Sequence, residues 1–150
     1  MALSIQEMSD RFEIQDLLVG YCYAVDTRDF DALDALFTAD AVIDYSEMVG
    51  VKGGLTEIKA FLAASFAQVA AVQHAVSTTR YEIDGDRATT KSACYNPMTI
   101  ASGADEATVV FGLWYIHDYV RTADGWRISR LYEQKCYNLG VPDWLRGQIA

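Results

Sequence analysis

Four side chains in this sequence combine a proton acceptor, a carboxylate and two hydroxyl groups. They are His74, Asp26, Tyr21 and Tyr45, and the chain contains two histidines in total. A carboxylate that accepts the Nδ1–H of an imidazole fixes the tautomer and raises the basicity of the ring, which leaves Nε2 free to take a proton. Tyrosine hydroxyls can donate hydrogen bonds to a carbonyl or to a departing hydroxyl. The four residues therefore predict proton abstraction by His74, oriented by Asp26.

Each of these residues also has a purely structural interpretation. His74 opens a predicted strand, where a histidine often forms a hydrogen-bonded part of a core or rim. Asp26 follows a helical stretch, where an aspartate often caps a backbone N–H or forms a turn. Tyr21 and Tyr45 can serve packing alone. The five-residue step from Tyr21 to Asp26 turns the two side chains about 140° apart on a regular helix, so we expect the helix to end or fray before Asp26.

Three helices are expected to position these residues. Ser4 and Glu7 have the spacing of a capping box, and apolar residues then recur at three- and four-residue steps as far as Val25, which predicts a long helix with one buried face. Asp29 is expected to cap a short second helix and Thr56 to cap a third.

Five runs of sequence predict β-strands. The first, Ala41 to Tyr45, is short and rich in β-branched and aromatic residues. Glycine-containing turns separate the four longer runs, and consecutive hairpins imply an antiparallel meander; the runs are VQHAVSTTRYEI, RATTKSACYNPMTI, ATVVFGLWYIHDYVR and GWRISRLYEQKCYN. Pro97 cannot donate a ladder hydrogen bond, so we expect it at a sheet edge or a bulge.

Helices followed by a meander predict an α+β fold. Long strands curl rather than lie flat, so we expect a cone-shaped α+β barrel with the N-terminal helices packed on a strongly curved, mostly antiparallel sheet. The length of 150 residues, half of them hydrophobic, favours one domain that spans residues 1–150 without metal or disulfide staples.

Composition and missing motifs argue against several classes of partner. The net charge of −9 disfavours nucleic acid and anionic membrane surfaces. Three separated cysteines form no disulfide or zinc spacing and suit the reducing cytoplasm. The acidic N-terminus is unlike a signal peptide, and the longest uncharged run is broken by polar residues. Phosphate-loop, GxSxG and HExxH motifs are missing. We therefore expect a cytoplasmic protein that needs no cofactor and no metal.

The last two long runs carry further candidates. Alternation gives the third long run two apolar faces, so one face is expected to line the core or pocket and the other to contact a second subunit of a homo-oligomer; the faces are Phe111, Leu113, Tyr115 and Tyr119 against Val110, Trp114 and Ile116. In the fourth run Arg130 shares a face with Trp126, Ile128 and Tyr132 by alternation. Arg130 is therefore a candidate substrate-binding residue.

Several motifs resemble those of the SnoaL-like branch of the nuclear transport factor 2-like superfamily. They are IQDLL in the first helix, DFDALDALF in the second, the IDY strand, the VQH strand entry and a late DGW turn. The chain is similar to scytalone dehydratase, bile acid 7α-dehydratase and hexachlorocyclohexane dehydrochlorinase, which carry an Asp and a His at the positions of Asp26 and His74. The first of these enzymes also has a Tyr at the position of Tyr45, and the second has one at Tyr21.

The resemblance implies further site residues and an activity. A second catalytic histidine of scytalone dehydratase falls near Met98 here, and its Ser and Asn fall near Leu113 and Tyr115. The implied function is a cofactor-independent lyase that eliminates water or another leaving group from a cyclic, apolar small molecule, in a trimer or a dimer. The alternative is a non-catalytic small-molecule binding or oligomeric assembly domain of the same fold.

Overall fold

The computed structural model describes residues 2–149 and confirms the α+β architecture. Helices pack against a curled seven-stranded sheet. The elements are α1 (Ile5–Asp26), β1 (Phe37–Tyr45), α2 (Ser46–Val49), β2 (Val51–Gly53), α3 (Leu55–Ser65), β3 (Val69–Val72), β4 (Ala75–Asp84), β5 (Arg87–Ser102), β6 (Asp105–Thr122) and β7 (Gly125–Leu139), with 3₁₀ helices at Phe30–Ala35, Phe66–Gln68 and Asp143–Leu145.

The sheet runs in the order β2-β1-β7-β6-β5, and both β3 and β4 pair with the far edge of β5. The β1 and β7 strands are parallel, and the other pairs are antiparallel. Helix α1 buries Ile14, Leu18, Tyr21 and Val25 in the core that it shares with β6 and β7. The mostly antiparallel sheet predicted from the sequence therefore encloses one face of α1.

The predicted capping box at the start of α1 is present. The Ser4 hydroxyl accepts a hydrogen bond from the Glu7 N–H at 3.1 Å, and the Glu7 carboxylate accepts one from the Ser4 N–H at 2.7 Å. The helix continues through Asp26 and is capped at Thr27. The expectation that it ends before Asp26 is therefore wrong, because Tyr21 and Asp26 serve different partners and need not point the same way.

Two of the shorter elements differ from their prediction. The second helix is a single 3₁₀ segment in which Asp29 caps Ala32 as expected, and β1 starts at Phe37, earlier than the predicted Ala41. Pairing with β7 draws this stretch into the sheet from Phe37 onward. Helix α3 is capped at Gly54, with Thr56 inside its first turn, so the predicted cap at Thr56 is wrong.

Pro97 lies inside β5, away from the sheet edge, and it pairs in register with Val110 of β6. Its carbonyl accepts the N–H of Gln73, which lies in the gap between β3 and β4. In an antiparallel strand the N–H and C=O of one residue point to the same side, so the missing donor faces this gap. The proline is tolerated because the neighbouring strand is interrupted there, at Gln73 and His74.

A buried carboxylate joins α1 to the end of the sheet. Asp10 is 3% exposed and accepts hydrogen bonds from Arg121 at 2.8 Å and from the Trp126 indole at 3.0 Å. The hydrogen bond from Arg121, more than that from Trp126, lowers the pKa of Asp10 to about 2 against burial. The ionised form therefore contributes to the stability of the fold.

We expect Asp10→Asn to lower the free energy of unfolding by about 2 kcal/mol at neutral pH, since a lowered pKa measures the preference of the folded state for the charge. A carboxylate with a lowered pKa stabilises above its unfolded value of 3.8 and loses this contribution as the pH falls towards about 2. Urea denaturation of the wild type and the variant at neutral pH and near pH 2 measures the difference in their free energies of unfolding. Asp16→Asn, on the exposed side of the same helix, is the control. A difference that is equal at both pH values would contradict this prediction.

The outer face of β6 carries Trp114 and Ile116, which are half-buried within one chain. Lys91 lies over the Trp114 ring at 5.0 Å. The homo-oligomer expected from this face stays a prediction. Over the described range, residues 2–149, each helix lacks the combination of length and apolar character that a bilayer crossing requires.

Candidate functional site

A largely apolar cavity of about 120 Å³ opens between α1, α3 and the curled sheet. Most of its wall is aliphatic or aromatic, and a few polar groups converge on it, which is the usual composition of a small-molecule site. The lining residues are Tyr21, Val25, Tyr45, Met48, Val49, Phe61, Leu62, Ser65, Phe66, Val69, His74, Asn96, Met98, Phe111, Leu113 and Glu133.

Asp26 and His74 meet at one side of this cavity. The Nδ1 atom of His74 lies 2.5 Å from Oδ1 of Asp26, and the His74 backbone N–H donates to Oδ2 at 2.9 Å. Both carboxylate oxygens therefore hold the same residue, one through its ring and one through its backbone. This double contact holds both the ring and the backbone of His74 to one carboxylate.

Local structure brings these two residues together. Helix α1 ends at Asp26, and Arg28 follows with a left-handed φ of 62°. The Arg28 guanidinium donates to the carbonyl of Val69 at 2.5 Å, which ties the helix end to β3. On the other side, the buried Asn96 donates from Nδ2 to the carbonyl of Gln73 at 3.0 Å. The helix end and the strand gap are thus each anchored beside His74.

The electrostatics favour an ionised Asp26. Burial raises the pKa of this carboxyl, but the hydrogen bonds from the ring and backbone of His74 outweigh burial and lower the pKa below its usual value. The His74 side chain is 6% exposed. Among residues 2–149 no group hydrogen-bonds its Nε2. With Nδ1–H donated to the carboxylate, Nε2 is the ring nitrogen left to accept a proton, and His74 is one of the residues that line the cavity.

Tyr21 and Tyr45 form a second polar pair in the same wall. Their hydroxyl oxygens are 2.6 Å apart, and both side chains are buried. Burial, with a smaller contribution from neighbouring acids, raises the pKa of each phenol well above its usual range, so both remain neutral. One hydroxyl donates to the other, which leaves one hydrogen atom of the pair available to a bound molecule.

Of the four residues expected to bind substrate, two line the cavity and two do not. Met98 and Leu113 line the cavity. Tyr115 is fully buried behind the wall, where its ring packs edge-on against Tyr21 and parallel to His74, with centroids 5.7 and 6.3 Å away. It supports the two polar pairs from behind.

Arg130 lies outside the cavity, on the outer surface of the sheet. It pairs with Asp118 at 3.4 Å and lies over the Tyr132 ring. The pairing of β6 with β7 shifts by one residue between Asp118 and Tyr119, so Ser129 is an extra residue in β7. A bulge of this kind reverses the alternation that follows it. Arg130 therefore does not share a face with Trp126 and Ile128 as expected.

The same bulge brings in a residue that the sequence did not indicate. Simple alternation from Trp126 places Glu133 on the outer face, but after Ser129 it faces the cavity. Burial raises the pKa of this carboxyl to about 8. Recognising Glu133 in advance would require knowing the position of the bulge.

A metal site is not evident in the described part of the chain. Within residues 2–149 there is no cluster of three or more His, Cys, Asp and Glu side chains with the geometry of a metal site. The three cysteines are free thiols, two of them buried. The groups of the cavity that can exchange protons are therefore its histidine, its two phenols and its carboxyl.

Known proteins share the sequence and the fold. A family model described as a SnoaL-like domain matches residues 6–132, which confirms the resemblance drawn from the sequence motifs. An uncharacterized protein of Mycobacterium tuberculosis is 46% identical over 136 residues, covering 90% of this chain and 91% of that protein.

Two solved structures illustrate the likeness. A protein of Novosphingobium aromaticivorans, provisionally assigned as an aromatic ring hydroxylase, is 29% identical with a TM-score of 0.79, and the match covers 89% of this chain and 94% of the other. Hexachlorocyclohexane dehydrochlorinase of Novosphingobium barchaimii is 18% identical with a TM-score of 0.79, covering 91% and 92% of the two chains. The second likeness concerns the fold.

Proposed function

The chain belongs to the SnoaL-like domain family, and from this membership and the geometry of its cavity we propose that it is a cofactor-independent lyase. It eliminates water, or another leaving group, from a cyclic and mostly apolar small molecule. The observation that carries the proposal is the 2.5 Å contact of Nδ1 with Asp26 in a histidine that lines an apolar cavity, because this contact leaves Nε2 to act as the base. A structural neighbour that is named for an elimination, the dehydrochlorinase, gives this class of reaction a precedent in the fold.

In the proposed reaction His74 is the general base. Its Nε2 takes a proton from carbon, the electrons of the broken C–H bond form the new double bond, and the bond to the leaving group breaks. The imidazolium that forms is stabilised by the carboxylate of Asp26. General base catalysis of this kind contributes about 10²–10⁴-fold to the rate.

The tyrosine pair is suited to bind a substrate carbonyl. Such a carbonyl acidifies the neighbouring C–H bond, and the leaving group is on the next carbon. Proton loss beside a carbonyl places negative charge on its oxygen, and a neutral donor in a dry site stabilises that charge. Tyr21 and Tyr45 supply one free hydroxyl hydrogen at the cavity wall, and their raised pKa keeps the hydrogen in place. A cyclic ketone with a hydroxyl group in the β position has both features.

The test is the turnover of single-ring β-hydroxy ketones by the purified protein in anaerobic buffer without added cofactor or metal. We expect the ultraviolet absorption of a conjugated enone to appear as water is lost. Binding of the same ketones, seen as a change in tryptophan fluorescence, without enone formation would instead favour the binding-module alternative. Turnover that depends on oxygen would overturn elimination in favour of hydroxylation.

A further inference from the structure

We propose that Glu133 is the proton donor of this cavity and delivers its proton to the oxygen atom that leaves. The inference rests on the proposed elimination and supplies the acid that the loss of water requires, because hydroxide is a poor leaving group. Glu133 lines the same cavity as His74, Tyr21 and Tyr45. Its carboxyl group is thus one of the four groups of this wall that can exchange a proton with a bound molecule.

The surroundings of Glu133 keep its proton on the carboxyl group. No lysine or arginine is among the cavity-lining residues of the described chain, and burial is the cause of its raised pKa. Burial and, in addition, the charge of an ionised Glu133 raise the pKa of the acids that face it from four elements: Tyr21 on α1, Tyr45 on β1, Cys94 on β5 and Tyr115 on β6. A carboxylate at this position would therefore face neutral acids and no compensating cation.

The proposed reaction couples the base and the acid of the cavity through charge. In the proposed mechanism the reaction starts with a neutral His74 ring beside the ionised Asp26 and with the proton on Glu133. When Nε2 of His74 takes the proton from carbon, a cation appears in the same cavity, and an opposite charge nearby favours ionisation of a carboxyl group. Glu133 thus becomes a stronger acid as the leaving oxygen needs its proton.

The step balances in protons and electrons. The C–H electrons form the double bond, the C–O bond breaks with its electrons on oxygen, and the proton of Glu133 converts that oxygen to water. The cavity is left with imidazolium at His74 and carboxylate at Glu133. Transfer of one proton from His74 to Glu133, through the departing water, restores the starting state.

The size and charge of the cavity narrow the substrate class. Its volume of about 120 Å³ is close to that of an engineered protein cavity of about 150 Å³ that binds benzene. One six-membered ring therefore fills the enclosed part. Because a neutral Glu133 donates to an uncharged oxygen and no lysine or arginine of residues 2–149 lines the wall, we expect an uncharged single-ring β-hydroxy ketone rather than a carboxylate or a phosphate ester.

The dependence on the leaving group tests this role. We expect Glu133→Gln to reduce kcat/KM for 3-hydroxycyclohexanone by about 10²-fold or more, the usual contribution of a general acid. The loss for 3-chlorocyclohexanone should be at least tenfold smaller, because chloride leaves without a proton. For the wild type, kcat with the hydroxy ketone should fall above pH 8, where Glu133 ionises, while kcat with the chloro ketone should not.

Two patterns would overturn the role of Glu133 while leaving elimination intact. One is an equal loss for both substrates, and the other is no loss for either. His74→Ala should reduce both reactions alike, so a defect in the base is distinguishable from a defect in the acid. Glu106→Gln, at an exposed carboxylate on β6, is the matched control and should change neither reaction.

A second measurement needs no substrate, so it tests the protonation of Glu133 even if the proposed elimination is wrong. An acid with a raised folded pKa stabilises below its unfolded value of 4.5 and loses that contribution as the pH rises to about 8. Relative to Glu133→Gln, we expect the folding equilibrium constant of the wild type to fall by about tenfold per pH unit across this window. Parallel stability curves for the two proteins would show that Glu133 is ionised at neutral pH, which would overturn the proposal.

Discussion

Replacing Asp26 with asparagine is expected to reduce elimination by about 10³-fold or more, as in other enzymes where an amide replaces the carboxylate that orients a catalytic histidine. The carboxylate holds His74 with two oxygens, accepting from the backbone N–H and from Nδ1–H. Asparagine has one oxygen. If that oxygen keeps the backbone hydrogen bond, the amide NH₂ faces Nδ1 and makes it the acceptor, so Nε2 carries the hydrogen and cannot take a proton from the substrate.

The steady-state rate of enone formation measures this effect, with Asp16→Asn as the control on the exposed side of the same helix. His74→Ala should show a loss of similar size, and added imidazole should restore part of its activity by entering the space that the ring vacates. Imidazole should not restore Asp26→Asn, which still contains the misoriented ring. Full activity in Asp26→Asn with an unchanged pH profile would show that the pair is structural.

The pairing of Asp26 with His74 is predicted only with the help of the family resemblance, because periodicity does not show that two residues 48 positions apart meet. The prediction combined residue chemistry with the resemblance of short motifs, and both describe the α1 end and the strand entry that meet in the fold. Helical periodicity similarly identified the face of α1 that carries Tyr21. Features that repeat along one element, or that lie within a family motif, can therefore be predicted from the sequence.

The misplaced residues share a different origin. Arg130 and Glu133 exchange faces because one extra residue, Ser129, is accommodated in β7 opposite Asp118 and Tyr119. No turn residue or proline marks this bulge in the sequence, so simple alternation assigns the residues after Ser129 to the wrong faces. For Pro97 the sequence predicts an edge or a bulge, and this is wrong because the gap between β3 and β4, which removes the need for its N–H, is a property of the neighbouring strands. Such irregularities depend on pairing between strands, and single-strand patterns do not contain them.

His117 is a buried ionisable group that does not line the cavity. It is fully buried on β6, and neither ring nitrogen has a hydrogen-bond partner in the described chain. The rings of Tyr21, Tyr115 and Tyr119 surround it, with centroids 5.5 to 6.2 Å away. Burial lowers the pKa of His117 from 6.5 to about 3. The folded protein therefore keeps this ring neutral at pH values where the unfolded chain binds a proton.

We expect His117→Leu to stabilise the protein selectively in acid. A base with a lowered folded pKa contributes nothing above its unfolded value of 6.5, and stability is lost as the pH falls from there towards about 3. The loss in the wild type amounts to about 1.4 kcal/mol per pH unit. The compared quantity is the free energy of unfolding of the variant minus that of the wild type. At pH 4.5, two units into the window, this difference should be about 3 kcal/mol more favourable to the variant than at neutral pH.

Urea denaturation of both proteins at the two pH values measures this gain, and each difference cancels the titration of groups that the proteins share. The substitution also removes ring contacts worth about 0.5–1.5 kcal/mol each and an unsatisfied polar group that costs about 1–3 kcal/mol, but neither effect depends on pH. Tyr119→Phe alters the same aromatic stack without adding a titration between pH 3 and 6.5, so its effect should be equal at both pH values. Equal differences for His117→Leu would mean that the buried ring has found a partner that keeps it charged.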